Sequence, residues 1–296
     1  MRNKSDTTVY HMLLLPGMVL LLLFSFIPMF GIVIAFQKYL PAKGIFGSDW
    51  VGLDNLRYMF QIPDSRQVFL NTIVIASLKI AAGIAVPASF ALLLNEIRAS
   101  WYKRTVQTIV YIPHFISWVI LAGVTVNLFS FEGIFNRLLI LFGQEPVMFL
   151  ASNVWFRPIL VLTDVWKEFG FGTIVYLAAI AGINPSLYEA AVMDGASRFK
   201  QIKHVTLPGM APTLVLLVTL SLGNVLNAGF DQIFNLYNPL VYPTADIIDT
   251  YVFRAGLVER QYGLATAIGL LKSVAATILI VVSYQLARRL AGYRIF

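Results

Sequence analysis

EAAVMDGASRFKQIKHVTLP, residues 189–208, is a polar and basic stretch set between two long apolar runs. It decides the fold because of what surrounds it. The chain has 296 residues, 58% of them hydrophobic and only 12% charged. Apolar runs of about 20 residues recur along it, long enough to cross the hydrocarbon core as helices. A segment of about 25 polar residues inside such a chain is a loop with something to touch, not part of a span. Lys+Arg (22) exceed Asp+Glu (15); in a membrane chain this excess marks basic loops and calls for no nucleic-acid partner. The absence of cysteine excludes disulfides and thiolate metal sites. The three histidines lack ligand spacing. The first apolar run is too long for a cleaved leader and has no A-x-A-like site behind it.

Six spans are expected: 9–36, 68–94, 105–129, 158–181, 210–229 and 263–287. Lys and Arg set their orientation. One set of flanks holds 11 in 55 residues: Arg2, Lys4, Arg98, Lys103, Arg104, Arg198, Lys200, Lys203, Arg288, Arg289 and Arg294. The opposite loops hold eight in about 90 residues. The positive-inside rule therefore predicts both termini and the 183–209 loop in the cytoplasm of a multi-pass plasma-membrane protein, embedded in lipid. The expected fold class is an all-α membrane protein: one domain over 1–296, six transmembrane helices, and a cytoplasmic loop between spans four and five.

The loop has its own punctuation. Asn184 suits an N-cap and Pro185 the first helical position, and Ser186–Glu189 has capping-box form. A short helix is predicted to about Asp194, with Gly195 making the turn. A second, near 197–204, is expected to stop before Pro208. Tyr188, Ala190, Ala191, Met193 and Ala196 offer small and apolar contact surface, and Glu189 and Asp194 offer charge.

The spacing Glu189-Ala190-Ala191, three residues, Gly195, nine residues, Val205-x-Leu207-Pro208 resembles the "EAA" coupling loop of permease subunits in binding-protein-dependent ABC importers. Valine stands at 205 where isoleucine is commoner. The resemblance extends over nearly the whole chain. Pro28-Met29-Phe30-Gly31-Ile32, Gly44–Asn55, Phe69-Leu70-Asn71-Thr72 and Leu92–Arg98 look like carbohydrate permeases. Tyr111-Ile-Pro113-His114-Phe115-Ile-Ser117-Trp118-Val119 is similar to the Gram-positive subgroup that imports polysaccharide-derived oligosaccharides, nearest to the rhamnogalacturonan type. The resemblance implies an ATP-driven importer of oligosaccharides with four kinds of partner. These are a second homologous permease, two ATP-binding subunits gripping the EAA loops, an extracellular lipid-anchored solute-binding protein, and the sugar. ATP and Mg would be bound by the partner ATPase, because this chain has no G-x-x-x-x-G-K-[ST] loop. No cofactor and no catalytic residue is expected on it. The coupling contacts so implied are Tyr188 to Ala191, Met193 to Ala196, and Leu207-Pro208. The alternatives are a permease for another small solute, or a stand-alone secondary transporter.

Ionisable residues within spans are costly and face a cavity or a partner. Five qualify: Lys79 in span two, Asp164, Lys167 and Glu168 in span four, and Lys272 in span six. Counted from the outer ends at about 1.5 Å per residue, they lie roughly 9–16 Å deep, in one layer. Asp164, Lys167 and Glu168 share a helix face (i, i+3, i+4) beside Trp166. Two readings remain open: a path in which carboxylates read sugar hydroxyls, rings read sugar faces and the positive excess suits uronates, or a set of pairs that only holds helices together. His114, beside Pro113, is expected near the cytoplasmic end of its span with a structural role.

Overall fold

The structure, a computed structural model, describes residues 4–291, with side chains from Val9 to Leu286 and at Arg288. Arg2 and Arg294 of the orientation count lie outside the described residues, as do the side chains of Lys4 and Arg289. The main helices in chain order are α1 (Lys4–Leu21), α2 (Pro63–Glu96), α3 (Ser100–Tyr111), α4 (Trp118–Phe129), α5 (Ile134–Leu141), α6 (Phe156–Ala181), α7 (Pro185–Met193), α8 (Arg198–Gln201), α9 (Leu207–Gly223), α10 (Phe230–Leu236), α11 (Ile248–Phe253) and α12 (Tyr262–Ala291). Strands among the described residues are confined to a two-residue antiparallel ribbon, β1 (Gln37–Lys38) with β2 (Asp49–Trp50), registered Gln37 opposite Trp50.

Among the described residues, five segments are long and apolar enough to span a membrane: Val9–Phe36, Pro63–Glu96, Trp118–Leu141, Arg198–Gly223 and Tyr262–Leu286. A sixth is the pair α6 and α7, bent by 69° at their junction. The chain is an all-α membrane protein with five to six candidate transmembrane helices.

Two compact units are distinguished, Met1–Pro63 with Val252–Leu271, and Asp64–Tyr251 with Lys272–Phe296. In the first, the Val9–Phe36 run leaves nearly every apolar side chain exposed, as a lipid-facing helix must. Its far end is tied down by Asn55, whose Nδ2 donates to the carbonyls of Ala35 (2.9 Å) and Gln37 (3.0 Å). Phe36 stacks on Trp50 at 5.7 Å.

Among the described residues, the second unit has several buried apolar clusters. One joins Ile75, Ala122, Phe156, Leu160 and Ile233; another joins Ala91, Tyr176, Ile180 and Met210; a third joins Phe129, Phe149 and Ile159. α3 and α6 meet closely at Gly170, where an added Cβ would collide with the Val110 carbonyl.

Three expected boundaries differ from the fold. The expected span 105–129 is not one helix. Pro113 supplies no N–H, so α3 ends in a 3₁₀ turn, Ile112–Phe115. Ile116 and Ser117 are then extended, and Ser117 caps α4. The span expected over 210–229 ends at Gly223, because Asn224–Gly229 leaves the helix and Gly229 takes φ +94°. The second loop helix does not stop before Pro208. A π-turn, Ile202–Thr206, carries α8 into α9, and Pro208 sits in the first turn of α9, where the missing N–H costs little.

Candidate functional site

The polar loop folds as a hairpin of two short helices. α6 runs out at Gly182, and Asn184 Oδ1 accepts from the Ser186 N–H at 3.0 Å, starting α7 with Pro185 at its first position. The cap is Asn184, as its sequence position implies. α7 ends at Met193, within a residue of expectation, and Gly195 turns the chain at φ +71°. The turn is closed by Ala196 N–H to the Ala191 carbonyl (2.9 Å) and Gly195 N–H to the Val192 carbonyl (3.0 Å), a helix-terminating pattern that favours glycine. At its base, the Tyr188 hydroxyl meets Thr206 Oγ1 at 3.0 Å. Gly209 admits Ile183 so closely that a Cβ there would stand 2.5 Å from Ile183 Cδ1. These contacts fix α7 to both α6 and α9.

The hairpin shows outward a mixed surface: apolar side chains, the acids Glu189 and Asp194, and the basic Lys200, Lys203 and His204. Leu187, Val192, Met193 and Phe199 are exposed, Met193 at 86%. Ala190, Pro208 and Leu207 are exposed, and Ala191 and Ala196 are half-buried. Glu189 is exposed and forms no ion pair or side-chain hydrogen bond among the described residues, whereas Glu96 meets Arg198 at 3.7 Å. Between the end of α2 and the hairpin lies an open groove of about 1150 Å³, lined by Glu96, Ile180, Tyr188, Glu189, Met193 and Arg198.

The ionisable residues within the helices are arranged differently. Lys79 is 8% exposed, and its ammonium meets Asp164 Oδ1 at 3.2 Å. It also donates to the Ala228 carbonyl at 2.8 Å and to Gln232 Oε1. Lys167, 7% exposed, bonds the His114 carbonyl at 2.5 Å and Glu168 at 3.2 Å, 5.9 Å from the centre of the Trp118 ring. Glu168 reaches His114 Nδ1 at 2.7 Å, and the His114 ring stacks on Phe171 at 4.1 Å. Lys272 pairs elsewhere, with Asp249 at 2.5 Å and Asn227 at 2.9 Å. Trp166 is 44% exposed.

The fold thus brings Lys79 to Asp164 and Lys167 to Glu168, and gives Lys272 its own acid. His114 lies in the 3₁₀ turn that ends α3. It sits beside Glu168 of α6, and Lys167 satisfies the carbonyl that the end of the turn leaves unpaired. Gln232 and Asn227 were not foreseen. Gln232 lies in a polar connecting stretch whose composition gives no sign that it packs against α2 and α6, and Asn227, expected inside the fifth span, faces Lys272 of α12.

With this geometry in view, the comparison with known proteins is direct. Residues 81–292 match the profile of the "Binding-protein-dependent transport system inner membrane component" family. The chain belongs to this family. It is 42% identical over 287 residues to Protein LplB of Bacillus subtilis, covering 97% of this chain and 90% of the relative. It is 43% identical over 280 residues to the polygalacturonan/rhamnogalacturonan transport system permease protein YteP of the same organism, covering 94% and 87%. Among solved structures, it is 40% identical, with a TM-score of 0.89 and coverage of 99% and 98%, to a chain of a bacterial alginate ABC transporter in complex with an alginate pentasaccharide-bound periplasmic protein. Membership makes the chain a multi-pass transport permease subunit, and its EAA residues fall inside the matched region.

Proposed function

We propose that this chain is one transmembrane subunit of an ATP-driven importer of polysaccharide-derived, acidic oligosaccharides. It works as a single permease domain with both termini and the hairpin in the cytoplasm. The observation that carries the reading is the hairpin itself: a capped knob that exposes Leu187, Val192, Met193 and Phe199 beside Glu189, which has no ion pair among the described residues, inside a helical bundle of this family. ATP-binding subunits carrying ATP and Mg would grip α7 through Tyr188, Glu189, Ala190, Ala191, Met193, Asp194, Gly195 and Ala196, with Leu207 and Pro208 at the base. A second permease would complete the channel, and a lipid-anchored extracellular binding protein would deliver the sugar.

The substrate class is supported by the relatives that carry polygalacturonan, rhamnogalacturonan and alginate fragments in their names. Asp164, Glu168, Trp166 and the cations Lys79, Lys167 and Lys272 are the side chains of this subunit offered to the path. Each of the three cations has a carboxylate partner, so within this layer the hydroxyl-reading carboxylates and rings do the reading and the cations present them. The test is uptake by proteoliposomes holding the permease pair, the ATPase and the binding protein. Unsaturated galacturonan, rhamnogalacturonan and alginate oligosaccharides are expected to enter in an ATP-dependent way and maltotriose not to. Equal uptake of neutral and acidic sugars would refute the substrate class, and uptake without the ATPase subunits would refute the mechanism.

A further inference from the structure

The apolar run of α9 stops at Gly223, and the chain passes through residues 224–229 without helix before turning back as α10. One side chain from α2 holds this turn-back from inside. The three ammonium protons of Lys79 have three acceptors: Asp164 Oδ1, the Ala228 carbonyl and Gln232 Oε1. Gln232, fully buried, continues the chain of contacts by donating to the Leu160 carbonyl (2.8 Å) and Thr163 Oγ1 (2.7 Å). Gly229 is part of the same fit. A Cβ there would stand 2.8 Å from the ammonium, and φ +94° excludes most other residues.

A lysine so deep in an apolar helix is expensive. Were it present only to hold two helices together, an apolar pair would serve as well. Instead, two of its three acceptors belong to residues 228 and 232. The third, Asp164, is a quarter exposed and so is less firmly enclosed than the ammonium it meets. Asp164 also lies on α6, which continues unbroken to Ala181 and then bends into α7. A displacement of the hairpin therefore reaches Asp164 along about 26 Å of rigid helix.

We propose that Lys79 is a positioning residue for a movable strap, residues 224–236. It pins the strap against α2 and α6 in the arrangement seen here, and the strap is released when α6 draws Asp164 away during transport. The proposal rests on the ATP-driven reading for what moves α6, but not for the pin itself.

The chain has no cysteine, so an introduced thiol reports alone. Ile233, fully buried under the strap, is the reporter position. Maleimide labelling of Ile233→Cys is followed in the purified transporter with its partner subunits, alone and combined with Lys79→Met/Asp164→Asn or Gln232→Met. The double change removes both charges together and so leaves no isolated ion; Gln232→Met keeps the ion pair and removes the strap's side-chain bonds to Lys79, the Leu160 carbonyl and Thr163. Without nucleotide, both combinations are expected to label at least roughly tenfold faster than Ile233→Cys alone, since each removes at least one hydrogen bond between the strap and a charged group, worth roughly a factor of ten. In Ile233→Cys alone, ATP with vanadate is expected to raise labelling to that same rate, and in the double change to alter nothing. Labelling in the combinations within twofold of the parent would overturn the pin. Hydrolysis-competent parent whose labelling ignores nucleotide would overturn the movement. A preparation that hydrolyses no ATP with sugar would instead refute the importer reading, while the nucleotide-free comparison still decides the pin.

Discussion

The hairpin and the ionisable layer both place charge where the surrounding sequence is apolar, and they treat it in opposite ways. In the layer, Lys79, Lys167 and Lys272 each meet a carboxylate within 3.2 Å, and the first two are buried. In the hairpin, Glu189 stands exposed with no partner among the described residues, beside exposed Leu187, Val192 and Met193. Charge that is costly to bury is satisfied within the chain. Charge that is left open, on a knob whose backbone is tightly fixed, is available to another protein. The difference separates what holds this subunit together from what it offers outward.

That contrast can be broken from either side. The largest effect is expected from Lys79→Met, which strands Asp164 and the Ala228 and Gln232 acceptors. It should cost about 3 kcal/mol, the low end for breaking a buried pair because Asp164 is partly exposed, and adding Asp164→Asn should recover much of it. The check is the thermal melting temperature in detergent; equal melting of the single and double variants would show that the pair is not coupled. Gly170→Ala comes next. Its methyl group meets the Val110 carbonyl and must push α3 from α6, costing about 2 kcal/mol by overpacking. Gly195→Ala forces a side chain into a left-handed turn at φ +71° and should cost about 1 kcal/mol. Asn184→Ala removes the cap of α7 for a similar loss. Protease sensitivity at 194–197 would register both hairpin changes, and neither should alter the labelling of the strap.

Much of the hairpin was legible in the sequence because its signals are local. Asn184, Pro185 and Gly195 fix a start and a turn through their own backbone chemistry, and the structure uses all three. Pro208 misled because a proline within the first turn does not end a helix, and the π-turn before it keeps the backbone winding. The layer was half legible. Lysine and carboxylate inside apolar runs are visible by composition, but their pairing depends on which helices touch. Lys79 could be flagged from the sequence; its bonds to Ala228 and Gln232, about 150 positions away, could not. The pairing of His114 with Glu168 was hidden for the same reason. The carbonyl of His114 that Lys167 bonds is known only once α6 lies beside it.

The smallest effect on the fold should accompany the largest effect on function, and it belongs to Glu189. Glu189→Ala removes no contact within the chain, so its melting temperature should match the wild type, a change within about 0.5 kcal/mol. Sugar-stimulated ATP hydrolysis by the reconstituted complex should fall by roughly tenfold or more, the loss of a charged contact to the ATPase subunit. Measuring both on one preparation tests most directly whether the hairpin serves a partner. Unchanged stability with lost stimulation is the predicted result; full stimulation in the variant, or a loss of stimulation explained by a loss of stability, would contradict it.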